Sequence, residues 1–123
     1  MEEKQKKVLI SDPTLRDGNH AVSHELSSEQ IIAYCRAADA AGIPIVEVGH
    51  GNGLGASSMN VGEAKITDKE MLTVSRKELK KSKLGIHLIP GFGTIERDLK
   101  PAIDCGVDVF RIASHCSEAD LTD

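Results

Sequence analysis

The 123-residue chain is short of aromatic residues, with no tryptophan, one tyrosine and two phenylalanines. Its core must therefore be built from aliphatic side chains. No apolar run approaches the ~20 residues that span a bilayer. The opening "MEEKQKK" carries charge where a signal peptide needs an apolar stretch. Neither membrane nor export is therefore expected. Three cysteines, Cys35, Cys105 and Cys116, make an odd number without metal-type spacing. That usage fits reduced thiols in a cytoplasmic protein. Neither charge sign is in large surplus. The net charge of −4 gives no reason to expect nucleic acid. The cluster Lys77, Lys80, Lys81 and Lys83 reads as a solvated helix end.

What is present is a hydrophobic pattern that switches period again and again. "KVLISD" reads as a buried strand from about Val8 to Ser11. Leu26-Ser27-x-x-Gln30 reads as a staple and capping box, opening a helix to Ala41 with Gly42 as its C-cap. Ile31, Ile32, Cys35, Ala38 and Ala41 would form its apolar face. A second strand follows at Ile45 to Val48. After a Gly/Ser/Asn-rich loop, Thr67-x-x-Glu70 offers a second capping box for a helix to about Lys81. The third strand is Leu84 to Ile89. The third helix is capped by Thr94 or Asp98 and ends at Gly106, and Pro101 favours the later start. "VDVFRIASH" gives a fourth strand, and "SEADLTD" the opening of a fourth helix. Alternating units with near-continuous apolar strands predict an α/β fold with a parallel sheet covered by helices. The two homes for such a chain are an open doubly wound sheet and a (βα)8 barrel. A full barrel takes ~250 residues, so this chain would supply about half of one.

The polar residues cluster where such folds carry function, after the carboxyl ends of the strands. Asp12, Arg16, Asp17 and His20 follow strand one, and Glu47, His50 and Asn52 lie at and after strand two. Strand three carries His87; Ser114, His115 and Ser117 follow strand four. Several of these also have bland readings. Asp12 suits a turn before Pro13, Arg16–Asp17 a surface ion pair, and His87 rim packing. His20 and His24 have the i,i+4 spacing of a helical metal pair, but Gly18 and Asn19 argue against a helix there. His115 and Cys116 are adjacent and would point apart on an extended segment. Gly51-x-Gly53-x-x-Ala56 imitates a dinucleotide fingerprint, yet no helix is expected before Thr67, which argues against nucleotide binding. An aspartate able to hold a hard cation, with an arginine beside it and a histidine nearby, suits enolate chemistry on a 2-oxo acid.

"DPTLRDGNHAVSH", "IVEVGHGNGLGASSMNVG" and "FRIASHCSEAD" together resemble the 4-hydroxy-2-oxovalerate aldolase family. These are metal-dependent pyruvate aldolases of the HMG-CoA-lyase-like barrel superfamily. The resemblance runs over nearly the whole chain. It implies the N-terminal half of a (βα)8 barrel, as one partial domain over residues 1–123. It also implies cleavage of 4-hydroxy-2-oxo acids to pyruvate and an aldehyde. Asp17 matches a ligand to manganese, or to magnesium or cobalt. Arg16 matches the arginine that steadies the pyruvate enolate, and His20 the base. Glu47 matches a supporting acid near the substrate. The family's partner is an acylating aldehyde dehydrogenase. The family's other metal ligands are a His-x-His pair, and none occurs among the five histidines here. The chain alone is therefore expected to be inactive and to self-associate through its open half-barrel edges. The alternatives are a non-catalytic half-barrel module that assembles or binds a partner, and an acyl-CoA-condensing synthase of the same superfamily.

Overall fold

A computed structural model describes residues 4–122. Met1–Glu3 and Asp123, part of the charged N-terminal stretch and the last residue of the expected fourth helix, lie outside the described residues.

The sheet has four strands in sequence order, every pair parallel. These are β1 (Ser11–Asp12), β2 (Ile45–Glu47), β3 (Lys83–Leu88) and β4 (Val109–Ile112). Helices α1 (Ser28–Ala41), α2 (Asp68–Glu78) and α3 (Lys100–Asp104) connect them. Parallel strands joined in order by helices make the arrangement of half a (βα)8 barrel.

Alternation along the strands separates two faces. Val46, Leu84, Ile86 and Leu88 point to the helices and join Ile31, Cys35, Met71, Leu72 and Leu79 in an aliphatic core. Glu47, His87 and Arg111 take the opposite parity and face away from the helices, where His87 pairs in register with Arg111. Beside Glu47 on β3 stands Gly85, which places no side chain in its way.

The expected helix starts hold at α1. The Ser27 hydroxyl accepts from Gln30 N, and the Gln30 side chain accepts from Ser27 N. Ile31, Cys35 and Ala38 are buried, Ile32 is half-buried, and Ala41 is exposed. At α2 only half the expected box forms. Thr67 accepts from Glu70 N, while the Glu70 carboxylate accepts from the Ser28 hydroxyl instead. That bond links the starts of two neighbouring helices. Helix α2 ends at Glu78 rather than Lys81, because Leu79 turns extended and buries itself. The Arg76 guanidinium holds the Leu79 and Gly106 carbonyls there.

β2 ends one residue before the expected Val48 and β3 is shifted by one from the expected Leu84–Ile89, and three further boundaries differ by more. β1 is Ser11–Asp12, and Val8, Leu9 and Ile10 are exposed by 81%, 74% and 59%. Its only neighbour, β2, starts at Ile45, whose N–H donates to Ile10 O. The residue that would carry the ladder back toward Val8 is Ile43, and its N–H donates to Ala38 O at the end of α1 instead. The third helical segment begins at Thr94, not Asp98. The Thr94 side chain accepts from Arg97 N, and a π-type turn over Ile95–Leu99 leads into α3. The wide turn places Pro101 in the first turn of α3, where its missing N–H costs little. Finally, Cys116–Thr122 forms 3-10 turns broken at Glu118 rather than one α-helix.

No helix among the described residues is long and apolar enough to cross a membrane. The four lysines at 77, 80, 81 and 83 are all solvent-exposed. The three cysteines are unpaired, with Cys35 buried, Cys105 half-buried and Cys116 exposed.

Candidate active site

The loop after β1 is built on local hydrogen bonds. The Asp12 carboxylate accepts from Thr14 N and the Thr14 hydroxyl, and from the Tyr34 hydroxyl on α1. Burial alone would raise the Asp12 carboxyl, but these donors outweigh it and hold it below its usual range. Asp12 therefore anchors the loop to α1. Beyond it the chain winds into a 3-10 turn over Asp17–Val22. Gly18 and Asn19 are accommodated there because this tighter turn is short.

The second loop, after β2, is knitted to the first. Arg16 Nε donates to Glu47 Oε1 at 2.6 Å, and Nη1 donates to Gly51 O at 3.0 Å. The buried Asn19 amide donates to Gly49 O. Lys65 N donates to His24 O, and His50 Nε2 donates to Gly62 O. Two segments some thirty residues apart thus form one rim. Between β2 and the helix at Asp68 there is no helix, so the glycine-rich stretch does not open one as a dinucleotide fingerprint would.

Four residues singled out in the sequence stand as follows. Arg16 lies with its side chain largely covered, and its Nη2 makes no hydrogen bond within the described residues. Asp17 is beside it, Nη1 to Oδ1 3.3 Å, with its own side chain 66% exposed. His20 lies over Gly51. A Cβ built on Gly51 would fall 2.4 Å from the His20 ring, so the ring occupies space that only glycine leaves. Glu47 is buried and shared. Its carboxylate also accepts from Arg111 Nε at 3.0 Å and Nη2 at 2.7 Å. Burial would raise the Glu47 carboxyl; the bonds from Arg111 and then Arg16 prevail and hold it below the ordinary glutamate range.

Arg111 escaped the sequence reading. It sits inside "VDVFRIASH", and its one available signal was parity. A strand residue whose neighbours Phe110 and Ile112 face the helices must face the other way. His87 is buried on the same face, and its Nδ1 has no hydrogen-bond partner among the described residues. Burial, joined by Arg111 and Arg16 nearby, lowers its pKa and favours the neutral ring. Ser114, His115 and Ser117 lie beyond β4. Ser114 and His115 line, with Asn52, Phe92 and Glu118, an open hollow of about 450 Å³ at the same end of the sheet.

The fit to a divalent ion can be tested on these donors. Asp17 offers one carboxylate toward the rim. Among the described residues no group of three His, Cys, Asp or Glu side chains is placed to hold a metal. His20 and His24, the i,i+4 pair, have ring centroids 5.2 Å apart in an edge-to-face contact. The residues present do not make a metal site by themselves.

A parallel βα sheet with its polar residues gathered at the carboxyl end is the catalytic architecture of barrel enzymes. Residues 7–122 match the HMGL-like family model, and the chain belongs to that family. It is 64% identical over 118 residues to the 4-hydroxy-2-oxovalerate aldolase of Pectobacterium atrosepticum, covering 96% of this chain and 34% of that protein. It is 63% identical to the 4-hydroxy-2-oxovalerate aldolase of Spirochaeta aurantia, covering 94% and 34%. It is 60% identical to 4-hydroxy-2-oxovalerate aldolase 2 of Salinispora arenicola, covering 94% and 33%. The chain thus spans about a third of the length of the curated relatives it matches.

Proposed function

We propose that the chain carries the enolate-stabilising and proton-transferring loops of an aldolase that cleaves 4-hydroxy-2-oxo acids to pyruvate and an aldehyde. The observation that supports it most is Arg16, fixed by Glu47 and Gly51 O with Nη2 uncommitted, on the same rim as His20. In this reading His20 accepts the proton of the substrate's C4 hydroxyl as the C3–C4 bond breaks. The aldehyde departs, and the electron pair of that bond becomes the pyruvate enolate. The Arg16 guanidinium donates to the enolate oxygen, and protonation at C3 completes pyruvate. Glu47 and Arg111 hold Arg16 in place and do not themselves react. Asp17 would contribute one carboxylate to a divalent ion such as manganese. No step is assigned to that ion, since the described residues supply no further ligand set. An acylating aldehyde dehydrogenase would be the partner that receives the aldehyde.

The test is pyruvate release from 4-hydroxy-2-oxovalerate with manganese present, alongside the Arg16→Ala variant. Loss of one oxyanion donor should cut turnover by about 100-fold or more. A reading that does not need turnover is the titration of oxalate, an enolate mimic, into labelled protein. Shifts confined to the segments around 16–20 and 47–51 are expected. No perturbation at millimolar oxalate would overturn the assignment of the site.

A second reading, a non-catalytic half-barrel that assembles with a second copy, is favoured by the exposed Val8, Leu9 and Ile10 beside β1 and the outward Phe110 and Ile112 on β4. Pyruvate release that is lost in Arg16→Ala would exclude it.

A further inference from the structure

Three imidazoles meet behind the rim. The rings of His24 and His50 stack face to face, 3.7 Å between centroids and 6° from parallel. His20 stands edge-on to both, at 5.2 Å and 6.4 Å, tilted by 77° and 79°. Its ring also lies over Gly51, where an added Cβ would meet it at 2.4 Å. His20 is thus bounded by a two-ring platform on one side and by backbone on another.

The platform is itself fixed. Asn52 N donates to His50 Nδ1 at 3.0 Å, so Nδ1 carries no proton. The proton is on Nε2, which donates to Gly62 O at 2.9 Å. Both ring nitrogens are spent on backbone, and the ring is the neutral Nε2–H tautomer. His24 is held by its main chain, with N donating to Asn19 O and O accepting from Lys65 N. It adopts φ +59° just after Ser23 at +52°. Successive non-glycine residues in the left-handed region cost free energy that surrounding contacts must offset. The strained pair delivers the buried His24 ring onto His50. Burial, followed by the His50 and His20 rings, lowers the pKa of His24. A neutral ring can stack on neutral His50 without like-charge repulsion.

We propose that His24 and His50 are positioning residues for His20, a stacked and tautomer-fixed platform that sets the orientation of that imidazole at the rim. The proposal rests on the reading of His20 as the base, but its test does not. His20 orientation is measured in the resting protein by nuclear Overhauser contacts between its ring and the Gly51 α-protons, and by the rate at which diethyl pyrocarbonate modifies it. His50→Gln removes the stack, whereas His50→Phe keeps a ring and loses both backbone bonds. Edge-to-face and stacked pairs of this kind correspond to about threefold to tenfold in the population of an oriented ring. His50→Gln should therefore lose the Gly51 contacts and raise His20 modification by about threefold or more. His50→Phe should keep more of the Gly51 contacts and raise His20 modification less than His50→Gln does. Gly51→Ala, whose methyl takes the His20 position, marks the fully displaced ring. If a variant fails to fold, the unaltered protein still decides. Its His50 nitrogen spectrum must show a bare Nδ1 and a protonated Nε2 at neutral pH. The opposite tautomer, or folded His50→Gln with unchanged His20 contacts and modification rate, would overturn the proposal. No response to oxalate with His20 orientation intact would count against the function, while the unchanged His20 geometry would support the platform.

Discussion

Glu47 is a tightly held charge, with a side chain 3% exposed and two guanidiniums on its carboxylate. Glu47→Gln keeps the shape and removes the charge. Breaking such a partly buried cluster should cost about 1–3 kcal/mol, read as a lowered midpoint in urea. The pH dependence follows from the depressed carboxyl. The folded protein binds a proton at Glu47 less readily than the unfolded chain does. The contribution of the cluster is thus present in full above the ordinary glutamate value of 4.5 and is lost as pH falls through the lower folded value. Thermal midpoints between about pH 6 and pH 3 should fall more steeply in the unaltered protein than in Glu47→Gln. The gathering of Arg16, Asp17 and His20 on one loop was legible because charged residues and glycine crowded a strand end. Arg111 was not, since a lone arginine in an apolar run announces nothing until pairing supplies its partner. Nor did spacing reveal the contact between His24 and His50, twenty-six positions apart, which depends on how two loops fold over each other.

At the scale of elements, caps were the most readable signal. Ser27 is the clearest case, with both halves of its box formed. Ser27→Ala should destabilise the chain by about 1 kcal/mol, measured by denaturant unfolding. Thr67→Ala should cost less than Ser27→Ala, because Glu70 is engaged with Ser28. The boundaries that differed share one physical origin, which is that a neighbour decides where an element stops. Val8 to Ile10 have strand composition, but Ile43 opposite them gives its N–H to Ala38 O at the end of α1. Lys80 and Lys81 suit a helix end, yet the helix stops at Glu78. There Asp39 at the end of α1 accepts from Lys81 N and Ser82 N and draws the chain toward β3. Thr94 and Asp98 were both plausible caps. Asp98 instead accepts from Thr94 N and from Arg97, bracing the turn that Thr94 starts.

For the whole molecule, the sheet has two edges, β1 and β4, with all strands running one way. Apolar side chains are uncovered beside both edges. Such edges are prone to pair with other chains. Sedimentation velocity should show association that grows with protein concentration and weakens in Leu9→Lys. A sharp monomer boundary at every concentration would remove the assembly reading. The parallel class was plain in the alternating pattern, because right-handed crossovers leave few other ways to arrange four such strands. The sheet face that collects Glu47, His87 and Arg111 needed the register.

The contact between His20 and Gly51 also bears on mutational tolerance. Glycine is the one coded residue without a Cβ, so every missense change of codon 51 adds an atom at the place the imidazole occupies. A substitution at that codon therefore acts first on the imidazole, which must swing aside to make room for the new atom. In a saturation library scored for His20 orientation, position 51 should behave as a binary switch, while exposed Asp17 next door to Arg16 yields a continuous range of effects.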